Sequence, residues 1–154
     1  MKNENILAWL LVAANAGAIF YFSSQTGEKS SEVSSEVTET VMENVETVNS
    51  DYRERLEFSD VHSKVRKNAH FTLYLMFGYL LFHAMKKENN DNATYALLAC
   101  ALVAMMDESY QYFVPGRSAE VFDVMLDSAG AATGISINHL LDNYEEPIKQ
   151  LRKK

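Results

Sequence analysis

The sequence predicts an all-α protein, a four-helix transmembrane bundle with an acidic amphipathic helix between its first and second spans. Three observations predict it: four apolar runs, one long polar segment, and ionisable residues at corresponding places in three of the runs. A span needs about 20 mostly apolar residues, with about 17 as a lower limit. The predicted spans cover residues 6–22, 69–85, 93–113 and 121–141, and the polar segment covers 24–66.

The composition supports one domain, residues 1–154, and argues against one class of partner. The net charge is −7, so nucleic acid is not an expected partner. The mean hydropathy is −0.18, because the polar stretches 24–67 and 142–154 dilute the apolar runs. This low average keeps a soluble helical bundle open as an alternative. A single cysteine, Cys100, forms no disulfide within the chain, and we expect it to be buried and inert.

The four runs differ in how they reach the length of a span. The first two hold 17 residues each, without Asp, Glu, Lys or Arg. The last two are long enough only if carboxylates are tolerated inside them. The first run follows Lys2, but no A-x-A-like cleavage site comes after it, so we expect a span and not a signal peptide.

Valines recur every three or four residues among glutamates in the polar segment, which predicts an amphipathic helix. Ser30 or Ser31 could cap its start. We expect the valine stripe to rest on the remainder of the protein, and a lid over a site is the alternative. The stripe consists of Val33, Val37, Val41, Val45 and Val48.

The distribution of basic residues predicts the orientation. Four spans place both termini on one side of the membrane, and each side then carries seven Lys and Arg residues. Short loops weigh most in the positive-inside rule, and Lys86 and Lys87 outweigh Arg117 there. The sequence therefore predicts a multi-pass protein of the cell membrane with cytoplasmic termini.

Three ionisable residues on separate spans are predicted to lie at one height. There are 15 residues between His70 and Lys86, 14 between Asn92 and Asp107, and 14 between Asp127 and Asp142. At a rise of about 1.5 Å per residue, all three side chains lie roughly 21 to 24 Å above the side of the termini. This agreement is the strongest physical signal in the sequence.

A second layer of polar residues follows about one helical turn further out. Lys67, Gln111 and Asp123 share helix faces with the first three, and Glu108 follows Asp107 directly. Gln25 ends the first span on the same side, and Arg117 lies in the turn above. Each charge at this depth costs at least about 2.5 kcal/mol, so these groups must pair or line a wet cavity. Lys67 and Arg117 are the cations available to the carboxylates.

Taken in order, short motifs along the chain resemble the VanZ-like family of bacterial integral membrane proteins. They are Phe22-Ser23-Ser24-Gln25, then Arg66-Lys67 with His70-Phe71 and Tyr74, then Asp107-Glu108 with Gln111, then Phe113 to Ser118, and last Asp123, Asp127 and Gly130. The resemblance implies a multi-pass protein of the bacterial cell envelope, and the named member of the family is associated with resistance to the glycopeptide teicoplanin. Leu73 stands where a glutamate is frequent in this family, and Tyr110 where a histidine is frequent.

The sequence leaves several functions open. One is a binding protein for a phospholipid head group or a lipid-linked wall precursor, with a pocket near the outer face formed by Gln25, Lys67, Gln111, Arg117 and Asp123. Another is an intramembrane hydrolase or transferase with His70 as general base, and with Asp107, Glu108 and Asp127 as orienting acids or metal ligands. Magnesium, manganese or zinc would suit such groups, but no spacing selects a metal. A purely structural network that holds the helices in register is the third.

Overall fold

The computed structural model describes residues 2–48, 57–88 and 90–151, and the regular secondary structure in these ranges is entirely α-helical. The helices are α1 (Lys2–Ser23), α2 (Gly27–Val48), α3 (Phe58–Lys87), α4 (Ala93–Gln111) and α5 (Val121–Leu151). The all-α prediction is confirmed. The first, second and fourth predicted spans lie within helices, whereas the third, 93–113, extends two residues past the end of α4 at Gln111. In addition, α3 begins well before its apolar run, and α5 continues beyond residue 141.

One helix of the described residues is long and apolar enough by itself to cross a membrane. It is the segment Glu4–Ser23 of α1, and one such helix is weak evidence for a membrane protein. In α4 and α5, polar residues interrupt the apolar sequence, as predicted.

The long helices run alternately between two ends of a bundle. At one end, the terminal end, Asn5 donates hydrogen bonds to the carbonyl of Lys87 and to the Glu88 carboxylate, and Lys86 pairs with Asp142. At the other, the site end, the N–H of Gly27 donates to the carbonyl of Pro115 at 3.0 Å. The turn after α1 therefore lies against the turn between α4 and α5.

Buried side chains form one stripe along each helix, and two of these stripes change from apolar to polar toward the site end. On α4, Ala96, Cys100 and Ala104 are followed by Asp107 and then by Glu108 and Gln111. On α5, Ile135 and Ala131 are followed by Asp127. The core is thus apolar in its middle and polar at the site end. Cys100 is fully buried, as expected.

Glycines allow α3 and α5 to pack closely. A Cβ added at Gly134 would lie 2.0 Å from the Leu75 carbonyl oxygen, and one at Gly78 would lie 2.3 Å from that of Ala131. Such positions admit no side chain unless the backbones separate. Small residues allow this kind of approach between helices in membranes and in soluble bundles alike.

The buried face predicted for α2 is wrong. Val33 and Val37 are 56% and 48% exposed, whereas Ser34 and Thr38 are buried. The Ser34 hydroxyl donates to the Ser30 carbonyl and the Thr38 hydroxyl to the Ser34 carbonyl, so both small polar groups are satisfied within the helix. The start of the helix also differs, because it begins at Gly27, before either predicted capping serine.

Candidate functional site

Three of the predicted polar residues meet in the core at the site end. His70 on α3, Asp107 on α4 and Asp127 on α5 each bring one nitrogen or oxygen atom to within 4.8 Å of the other two. Asp107 and Asp127 are buried, and His70 is mostly so, with its Nδ1 4.0 Å from Asp127 Oδ2. The structure therefore brings together the three residues that residue counting predicted to lie at one level, and they are called the trio below.

Asp107 accepts a hydrogen bond on one of its two carboxylate oxygens. Gln111 Nε2 donates to Asp107 Oδ2 at 3.2 Å and contacts Ser23 Oγ at 3.3 Å. Arg117 Nη1 in turn donates to Gln111 Oε1 at 3.1 Å, which fixes the orientation of the amide. Because Arg117 binds the amide oxygen of Gln111, the amide nitrogen faces Asp107.

Lys67 and Asp123 form an ion pair above the trio. Lys67 Nζ lies 2.7 Å from Asp123 Oδ1 and 3.2 Å from Glu120 Oε2, with both partners partly exposed. This pairing agrees with the second layer predicted from the sequence.

Arg117 acts as a clamp between helices and not as a counter-ion. Its Nε donates to the Gln25 carbonyl at 3.2 Å and its Nη2 to the Phe22 carbonyl at 2.8 Å. The Phe22 carbonyl lies in the last turn of α1, where carbonyls have no partner within the helix, and the Gln25 carbonyl lies in the turn that follows. Arg117 was one of the two cations predicted to be available to the carboxylates, but its donors are directed at Gln111 and at these backbone oxygens.

Gln25 and Glu108 have local partners. The Gln25 side chain donates to the Tyr21 carbonyl, so only its backbone carbonyl joins the network. Glu108 Oε1 accepts from the backbone N–H of Glu120 at 2.6 Å and ties α4 to the segment that leads into α5. Both contacts brace the fold.

A small cavity of about 20 Å3 lies between the trio and the site end of the bundle. That is room for about one water molecule or one ion. Three residues that line the cavity, Arg66, Ser118 and Leu126, were not predicted as site residues. The predicted site residues in the lining are Lys67, His70, Glu108, Gln111, Arg117, Asp123 and Asp127.

Two further residues were missed as parts of the site. Tyr74 is fully buried, and its hydroxyl has no hydrogen-bond partner among the described residues. It lies four positions after His70, so helical spacing alone could have placed it beside the trio. Glu120 pairs with Lys67 from a segment outside the helices, where no periodicity could indicate it.

A comparison with known protein families identifies the family of this chain. The family model VanZ/LLP1 matches residues 7–142. This match covers most of the chain, and the protein belongs to the VanZ/LLP1 family. Membership and the apolar helix α1 together suggest a membrane protein. Comparison with curated proteins and with solved structures finds no match.

Proposed function

We propose that the protein spans the bacterial membrane four times, through α1, α3, α4 and α5, and binds a phosphate-bearing head group at its site end. The ligand would be a phospholipid or a lipid-linked envelope precursor. The observation that carries this proposal is the convergence of Arg66, Lys67 and Arg117 on one cavity at the end of the bundle. Lys and Arg are the usual protein partners of phosphate.

The outward surface of the bundle supports a membrane setting. Several large apolar side chains of the predicted spans face outward and are at least 56% exposed. They include Leu10 on α1 and Leu98, Leu102 and Met106 on α4. Soluble proteins rarely leave large continuous apolar patches in water. Recovery of the protein in the aqueous fraction without detergent would favour the soluble bundle and contradict this proposal.

The cations of the cavity differ in how free they are to take a ligand. Arg117 is committed to α1 and Gln111, while Lys67 holds partly exposed partners that a phosphate oxygen can replace. Ion pairs at such exposure contribute little, about 0 to 1 kcal/mol. Lys67 is therefore the residue that we expect to contact phosphate directly.

Lipid-focused mass spectrometry of the detergent-purified protein tests the proposal. Lys67→Met should lose at least about tenfold of the co-purifying phosphate-bearing lipid, because one charge-assisted hydrogen bond is worth about 1.5–3 kcal/mol. Lys86→Met is the matched control, since Lys86 pairs with Asp142 at the terminal end. Equal lipid content in the wild type and in both variants would contradict head-group binding.

A hydrolase or transferase is the second candidate, and the proximity of His70 to Asp127 favours it. A carboxylate beside an imidazole orients it and supports its work as a general base. Incubation with lipid-linked phosphates, followed by mass spectrometry of the products, tests this candidate. Turnover by the wild type that is lost in His70→Ala, with the variant still folded, would establish an enzyme.

Family membership extends the proposal to glycopeptide resistance. Expression in a susceptible bacterium should raise the teicoplanin concentration needed to stop growth, if head-group binding alters access to a wall precursor. Lys67→Met should remove the effect and Lys86→Met should retain it. No difference between cells with and without the wild-type protein would contradict the link.

A further inference from the structure

We infer that the trio of His70, Asp107 and Asp127 binds one divalent metal ion of the first transition row, with Zn2+ and Mn2+ as the best matches. The inference uses only the buried end of the site and does not depend on head-group binding. The metal ion would be the partner of the buried carboxylate oxygens of Asp107 and Asp127 that no protein group in the described ranges binds.

The first support is a pair of unpartnered carboxylate oxygens. Asp107 Oδ1 and Asp127 Oδ1 are buried and have no hydrogen-bond partner of ordinary geometry among the described residues. The buried Tyr74 hydroxyl, which also has none, is a neighbour of Asp107. The two aspartates are 0% and 1% exposed. Buried polar atoms are almost always partnered, so two in one place indicate an unseen partner.

The second support is that the nearby protein cations have other partners. Within the described parts of the chain, no Lys or Arg nitrogen forms an ion pair with Asp107 or Asp127. Lys67 is paired with Asp123, and Arg117 with carbonyls of α1. Buried charges persist when they are paired or bind a metal, and pairing with a protein cation is not seen here.

The third support is geometry. The three candidate ligand atoms lie within 4.8 Å of one another. Tetrahedral coordination with metal–ligand distances of about 2.0–2.1 Å places the ligand atoms about 3.4 Å apart. Side-chain rotations that move the ligand atoms by about an ångström would bring them to this spacing. One imidazole and two carboxylates form a common ligand set for zinc and manganese.

The fourth support is the hydrogen bonding behind the ligands. Gln111 holds Oδ2 of Asp107 and leaves Oδ1 free, and Arg117 holds Gln111. Metal-binding carboxylates are oriented in this way by groups that do not touch the ion. Because three protein ligands leave a fourth position open, a water molecule or a phosphate oxygen could complete the site from the cavity.

Metal analysis of the full-length protein in detergent tests the inference. The protein is stripped with a chelator, loaded with Zn2+ or Mn2+, freed of excess metal, and measured by elemental mass spectrometry. We expect about one metal ion per chain in the wild type and at least a tenfold loss in Asp107→Asn and Asp127→Asn. Asp142→Asn, which removes a carboxylate at the terminal end of the same α5, should retain the metal.

A graded variant and a spectrum keep the test informative if the core variants fail to accumulate. Gln111→Ala should weaken metal affinity by about 10–100-fold, since it removes a group that orients a ligand. Wild-type protein loaded with Co2+ should show the absorption of a site with four or five ligands that include nitrogen. Absence of metal from the loaded wild type, or equal metal in the wild type and all variants, would overturn the inference.

Failure of this inference and failure of the proposed function give different results. Protein that holds metal but retains no phosphate-bearing lipid would overturn head-group binding and support the metal site. Protein that retains lipid through Lys67 but takes up no metal would support head-group binding and overturn the metal site.

Discussion

At the scale of single residues, the Arg117 side chain joins three separate parts of the site end by hydrogen bonds. Its three nitrogens reach Gln25, Gln111 and Phe22, so one guanidinium joins the turn before α5 to α1 and to α4. A guanidinium holds five N–H donors on three nitrogens in one fixed plane, whereas an ammonium has all its donors on a single nitrogen. The charge of this residue is therefore less important to the fold than its shape.

Arg117→Lys should destabilise the protein although it keeps the charge. Lysine cannot serve all three acceptors, and hydrogen bonds from a charged group are worth about 1.5–3 kcal/mol each. We expect a loss of about 2 kcal/mol or more, visible as a lower thermal unfolding midpoint in detergent. Arg66→Lys is the control, because no hydrogen bond of Arg66 is seen in the described residues. An equal shift in both variants would argue against the clamp.

Single residues also mark what sequence reasoning could reach. Counting residues from the ends of the runs placed His70, Asp107 and Asp127 together correctly, because a straight helix converts sequence distance into height. The same counting could not tell that Glu108 would accept from Glu120 or that Arg117 would reach carbonyls. Those partners are set by the path of a turn, and turns have no periodicity to read.

At the scale of helices, α3 and α5 are joined by backbone contact, and α2 by small polar side chains. Hydrophobicity predicted the valines as the buried face of α2, but the surface it meets accepts serine and threonine, whose hydroxyls bond to their own helix. A stripe of apolar residues shows that a helix is amphipathic. Which face is covered depends on the shape of the neighbouring surface, which the sequence of α2 does not contain.

Gly134→Ala should separate α3 from α5. The new methyl group would meet the Leu75 carbonyl oxygen at 2.0 Å, so the helices must shift, at a cost of about 1–3 kcal/mol or more. Gly17→Ala is the matched control, since no atom lies within 4 Å of its added Cβ and alanine favours a helix by up to about 1 kcal/mol. Thermal unfolding should show a lower midpoint for the first variant and an equal or higher midpoint for the second.

At the scale of the whole molecule, the four-span proposal fixes which ends face opposite sides of the membrane. Glu88 lies at the terminal end, beside Asn5, and Ala119 follows the Pro115–Gly116 turn at the site end. Cysteines at these two places report the topology directly, provided that the native cysteine is first removed by Cys100→Ala.

An impermeant maleimide applied to intact cells should label Ala119→Cys and should label Glu88→Cys only after permeabilisation. This result follows if α4 crosses the membrane and the termini are cytoplasmic. Labelling of both positions from the same side would contradict the four-span arrangement. Labelling in the reverse pattern would keep the spans and overturn the predicted orientation.

The change of the core from apolar to polar along its length has a consequence for how the protein is made. If α3, α4 and α5 span the membrane as proposed, α3 emerges first during synthesis, so His70 and Lys67 would already be in place when Asp107 and Asp127 follow. A carboxylate that enters the membrane alone costs at least about 2.5 kcal/mol, and the buried face of α4 carries two while that of α5 carries one. The order of the helices along the chain would thus give each late acidic segment a polar surface to join as it inserts.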